Sequence, residues 1–207
     1  MVPDTAYQLY SIHGFVAGEA MPLAWALLPN KSLATYTEMF SALRDAMISS
    51  FGDTGGQRTF LTDFELAAIR SLNTVFPQAT VKGCSFHFRQ ALYRRVQREG
   101  LKSVYDEPDS ELRRWIRRLT VLPAFAVPLV WNWLRQPPVS SDPVTSAKVI
   151  AFATYVEQTW INGDYPLSYT GLASVGEHLA SRRIAIFGHT ARPVSYTHLT
   201  LPTIYSV

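Results

Sequence analysis

The chain has 207 residues, 47% hydrophobic and 17% charged, with 19 Lys and Arg against 16 Asp and Glu. That length suits one domain with a full core, or the larger part of one, and the apolar share excludes a disordered polypeptide. There is no run of about 18 apolar residues to span a bilayer and no basic-then-apolar leader after Met1; the single cysteine excludes an internal disulfide and fits a reducing compartment.

In chain order, Tyr7 to Phe15 is rich in β-formers and apolar on both alternating faces, as an interior strand should be. Val16 to Glu19 turns the chain, and Met21 to Leu28 is a continuous apolar run, so the pair reads as an antiparallel hairpin. Tyr36, Met39, Phe40, Leu43 and Met47 make one stripe of a helix over 35–49. A Gly-rich loop over 51–57 leads to Phe60-Leu61-Thr62, a short strand that delivers Asp63 at its carboxyl end. Ala68, Ile69, Leu72, Val75 and Phe76 then share a helix face, and Pro77 stops the helix. A strand around Ala79 to Val81 precedes Gly83-Cys84-Ser85-Phe86-His87 and a helix that buries Phe88, Leu92 and Val96 while Arg94 and Arg98 point elsewhere. The order strand, strand, helix, strand, helix, strand, helix is mixed α/β. An acid at the carboxyl end of a strand lies where such sheets place ligands.

From Ser110 onward the pattern is helical. Leu112, Trp115, Ile116 and Leu119 form a stripe opposite arginine pairs, and Pro123, Pro128 and Pro137-Pro138 are expected to break the stretch that carries Phe125, Trp131 and Trp133. A further helix is expected from Val144 to Trp160, with Val149, Phe152, Ala153 and Val156 inside.

Charge is unevenly spread. Lys82, Arg89, Arg94, Arg95, Arg98, Lys102, Arg113, Arg114, Arg117 and Arg118 are ten of the nineteen basic residues, and only five acids share their segment. A positive surface of this kind suits a polyanion such as DNA, although a solvated helix face has the same composition.

The phrase TDFE, then a helix, FP, and GC-x-FHF-x-Q-A-L-Y-R-R-V resembles the transposase domain of Mutator-like elements (MULE), as does YQLYSIHGFVAGEAMPLAWALLPNKSLATYTEMF upstream. The likeness runs from Met1 to about Trp160. It implies a ribonuclease H-like mixed α/β sheet, here without its first strand, over residues 1–105, and a helical insertion over 106–162. Residues 163–193 stay unassigned, with a shifted reading frame as one explanation. Residues 194–207 resemble a peptide that recurs at the ends of unrelated translated assemblies and are given no function.

By that resemblance Asp63 is the second acid of a DDE triad and a ligand for Mg²⁺ or Mn²⁺. Hard divalent ions take carboxylate oxygens and, in pairs, activate the attacking and leaving oxygens of a phosphodiester. The competing reading of Asp63 is a helix N-cap. Glu65 is expected in the helix's first turn, facing its dipole. The first acid of the family precedes the Tyr7 strand. Asp4 is the only acid nearby, and Pro3-Asp4-Thr5 reads as a turn. Glu157 and Glu177 are weak candidates for the third acid, because GLASVGEHLASRR lacks the family's Asn pair. The family CxxH is Cys84 and His87. Two ligands are half of a zinc site, which His178 and His189 could complete only if that part of the chain is genuine, and a buried Cys with a satisfied His is the commoner outcome. His13, within a strand, reads as a core residue. Arg89, Arg94, Arg95, Arg98 and Lys102 are the expected DNA-phosphate contacts. The resemblance makes DNA the partner, with a homo-oligomer as a further one and the nucleus as the location in a eukaryote. For this polypeptide it leaves two readings, a metal-dependent strand-transfer enzyme lacking part of its triad, or a transposase-derived binding protein without catalysis.

Overall fold

The computed structural model describes residues 6–16, 19–52, 58–121, 126–138, 140–163, 165 and 185–191. Asp4, Glu177, His178 and residues 194–207 lie outside them.

The hairpin forms as expected. β1 (Gln8–Val16) runs antiparallel to β2 (Glu19–Leu28), with a register shift between Ile12 and His13. The inner face of β1 buries Tyr10 and Ile12, whereas β2 is a sheet edge that leaves Met21, Leu23, Trp25 and Leu27 about half exposed or more. An unbroken apolar run therefore marks an edge strand here, not a strand covered on both sides.

Helix α1 (Leu33–Phe51) starts where the Ser32 hydroxyl accepts from Thr35 N–H and ends at Gly52, which takes the left-handed conformation at φ 64°. β3 (Thr59–Thr62), α2 (Leu66–Val75) and β4 (Thr80–Gly83) follow, and β4 runs parallel to β3. α1 and α2 pack together on the sheet, where Tyr36, Phe40, Phe60, Leu72 and Phe76 form one core.

A second core is helical. It gathers α3 (Ser85–Arg98), α4 (Lys102–Asp106), α5 (Glu111–Val121), α6 (Ala126–Leu134) and α7 (Pro143–Val156) around Phe88, Leu92, Trp115, Phe152 and Trp160. Two details depart from expectation. Pro128 falls in the first turn of α6, where no intrahelical donor is lost, so it does not break that helix. α7 continues into a π-helical turn, Glu157–Ile161.

The sheet order is β2-β1-β5-β3-β4, in which β5 (Ala185–Ala191) is the middle strand, antiparallel to β1 and parallel to β3. A stretch without a legible role in sequence thus holds the two halves of the sheet together.

Candidate nucleic-acid interface beside the Asp63 loop

Parallel pairing of β3 and β4 sets Thr62 opposite Gly83, and the Cys84 N–H donates to the Thr62 carbonyl at 2.8 Å. Asp63 and the start of α3 therefore leave the sheet side by side. Asp63 is half-buried, with Oδ1 withdrawn from solvent. It is not the N-cap of α2, because that position belongs to Glu65. Glu65 makes no capping bond, and its carboxylate at the N-terminus of α2 pairs with Lys31, Oε2 to Nζ 2.8 Å. The Tyr10 phenol is pushed well above its usual range, first by burial and then by the negative charge of Asp63, which places that charge near the sheet core.

Between these acids Phe64 works as a wedge. Its ring rests on Gly83, where an added Cβ would lie 2.3 Å from the ring. It meets Trp160 edge-on at 4.7 Å and Tyr165 at 5.8 Å, and Trp160 in turn meets Phe88 at 4.8 Å. The glycine of the Gly-Cys phrase is thus explained by a ring it must admit. The π turn that ends α7 also comes to lie beside the Asp63 loop. Glu157, one turn before Trp160, accepts from the Trp131 indole at 3.1 Å.

Among the described residues no three His, Cys, Asp or Glu side chains converge on a point that could hold a metal ion. Glu65 is ion-paired with Lys31, and Glu157 is hydrogen-bonded to the Trp131 indole. Cys84 is half-buried as the N-cap residue of α3, and His87 lies edge-on to Phe86 at 5.5 Å. His189 belongs to β5, level with Ser11. Among the described residues no third His, Cys, Asp or Glu joins Cys84 and His87.

The cations of α3 divide by helix angle. Arg94 and Arg98 point away from the buried stripe and are exposed. Arg95 lies on one flank, 2.6 Å from Glu99 and with its guanidinium 4.6 Å over the Tyr155 ring. Arg89 lies on the other flank, toward α5. Lys102 is tied to Asp106 one turn on, which raises its ammonium pKa. On α5, Arg113 donates to the Glu107 and Pro108 carbonyls, Arg114 reaches Asp109 and Glu111 at 3.9 Å, and Arg118 stacks over Trp133 at 5.7 Å. Arg89, Arg94, Arg98 and Arg117 have no ion-pair partner among the described residues.

A half-open recess of about 300 Å³ lies between α3 and α5, lined by Arg89, Tyr93, Tyr105, Ile116, Arg117 and Thr120. Four-residue spacing puts Arg89 and Tyr93 on one face of α3, which is legible in sequence. That Tyr105 and Arg117 meet them is not, because it depends on how three helices pack. An apolar groove of about 580 Å³ follows β2 and α1 and includes Trp25, Leu27, Met39 and Leu43. Neither recess is lined by Asp63.

No helix of the described residues is long and apolar enough to cross a membrane. Residues 4–91 match the model of the MULE transposase domain. Comparisons with curated proteins and with solved structures find no match.

Proposed function

We propose, from the MULE transposase domain present at residues 4–91, that this chain is a transposase-derived protein that binds DNA along α3 and does not cut it. The observation that carries this reading is the tie between Cys84 N–H and the Thr62 carbonyl. It starts α3 beside Asp63, so that Arg94 and Arg98 follow on one exposed face at about 14 and 20 Å along the helix axis. Exposed guanidinium groups without carboxylate partners at that spacing suit successive backbone phosphates, which carry affinity but no sequence. The ribonuclease H-like reading of the sheet is supported by the hairpin followed by the parallel pair β3 and β4.

The test is DNA affinity measured against salt. Arg94→Gln and Arg98→Gln should each weaken binding to unrelated duplexes alike and reduce the log–log salt slope by about 1. Arg95→Gln should lower thermal stability and leave the slope nearly unchanged, since its guanidinium is occupied by Glu99 and Tyr155. Salt-independent binding, or none, would refute the reading.

A second reading, Mg²⁺- or Mn²⁺-dependent strand cleavage and transfer, is favoured by the place of Asp63 at the carboxyl end of β3. It requires the polypeptide to nick DNA with added divalent metal and to lose that activity in Asp63→Asn. The expected result is no nicking.

A further inference from the structure

The recess between α3 and α5 differs in kind from the exposed arginine row. Its two cations, Arg89 and Arg117, come from different helices, are solvent-exposed and lack ion-pair partners among the described residues. Its aromatic wall is Tyr93 and Tyr105, whose centroids lie 5.4 Å apart with ring planes inclined at 60°, so the two rings form a V and not a closed stack. Ile116 and Thr120 make a buried floor, and the Thr120 hydroxyl already donates to the Arg117 carbonyl. The recess therefore offers π-faces, an apolar base and two guanidinium groups within a volume of about 300 Å³.

Each part selects against another class of ligand. Two unpaired guanidinium groups call for an anion, and Arg binds phosphate oxygens in a bidentate fork. Tyrosine faces and an isoleucine floor call for a flat, largely apolar body beside that anion. The volume, at the small end for ligand sites, rejects a duplex, whose bases stay stacked inside the helix. One nucleotide with its base turned outward meets all three conditions. We infer that the Arg89–Tyr93–Tyr105–Arg117 recess holds a single unpaired nucleotide of a DNA strand, its phosphate on the two arginines and its base against the tyrosines. This rests on the DNA-binding reading above and adds to it a preference for DNA with an unpaired base.

The experiment compares the full chain on an intact duplex and on the same duplex with a three-nucleotide gap, the unpaired stretch carrying 2-aminopurine. Base–aromatic stacking predicts about tenfold tighter binding to the gapped DNA, together with quenching of 2-aminopurine emission on binding. Tyr105→Leu and Arg117→Gln should abolish both the preference and the quenching while leaving duplex affinity within about twofold. Arg117 is exposed, so that variant keeps its core, and Arg94→Gln should weaken both DNAs in proportion. Equal affinity for the two DNAs, or a preference that survives in both variants, overturns the recess and leaves the DNA-binding reading standing. Failure to bind either DNA overturns both. Displacement by a phosphotyrosine peptide but not by a short oligothymidylate would make the recess a peptide site, and that also overturns the inference.

Discussion

Gly83 has no room for a side chain. An alanine Cβ there would stand 2.3 Å from the Phe64 ring, and the ring is itself enclosed by Trp160 and Tyr165. Gly83→Ala should therefore cost about 1–3 kcal/mol by overpacking, read as a lower denaturant midpoint at unchanged slope. Phe64→Leu alone should also destabilise, but in the double variant the smaller side chain relieves the clash. The double variant should then be less destabilised than the sum of the singles, since contacting residues are non-additive. Simple additivity would mean that the two residues do not press on each other. Sequence could place Asp63, because an apolar run that ends in an acid is a local signal. It could not place the wedge, because the neighbours of Phe64 come from β4, the π turn and Tyr165. It also could not give Glu65 its partner, since Lys31 lies far back in the chain.

Among the elements, α2, α3, α5 and α7 were legible because each buries one stripe at helical spacing, such as Leu112, Trp115, Ile116 and Leu119 on α5. The start of α7 was less so, though its chemistry is local. Asp142 accepts from Val144 N–H at 3.4 Å and from Thr145 N–H at 2.9 Å, with Pro143 at the first helical position. The Thr145 hydroxyl also donates to it at 2.6 Å, and these bonds, the hydroxyl first, hold its carboxyl below the usual range. A depressed folded-state pKa means that the stabilisation is present above the unfolded carboxylate value, about 3.9, and is lost as pH falls through the lower folded value. Asp142→Ala should therefore lower the thermal midpoint at neutral pH. The gap from the parent should narrow as the pH drops below about 4 and close at still lower pH. A gap that stays constant through acid would show that the carboxylate is not what caps α7. In α6 the deciding factor is position: a proline interrupts a helix only beyond its first turn, and Pro128 occupies a first-turn place where its missing donor costs nothing.

At the scale of the whole molecule, Phe64 joins the helical core through Trp160 while its ring rests on Gly83 of β4, and the sheet is joined across its middle by β5. β5 occupies the side of β1 that β2 leaves open. Sequence could not reveal this, because the partners of β5, Leu9–His13 and Thr59–Leu61, lie far away in the chain, and pairing at that range leaves no local period. The arrangement has a direct consequence. If β5 closes the sheet, its ladder protects amides on both neighbours, and a proline within it removes a donor from a central strand, where proline is not tolerated. Gly188 stands opposite Ile12 in that ladder. Gly188→Pro in the full chain should accelerate amide hydrogen exchange in Leu9–His13 and in Thr59–Leu61. The helices of the second core should keep their protection, because their apolar contacts are made among themselves. Unchanged protection in β1 and β3 would mean that β5 does not hold the centre of the sheet in solution, and faster exchange throughout α3 to α7 would mean that the two cores unfold as one.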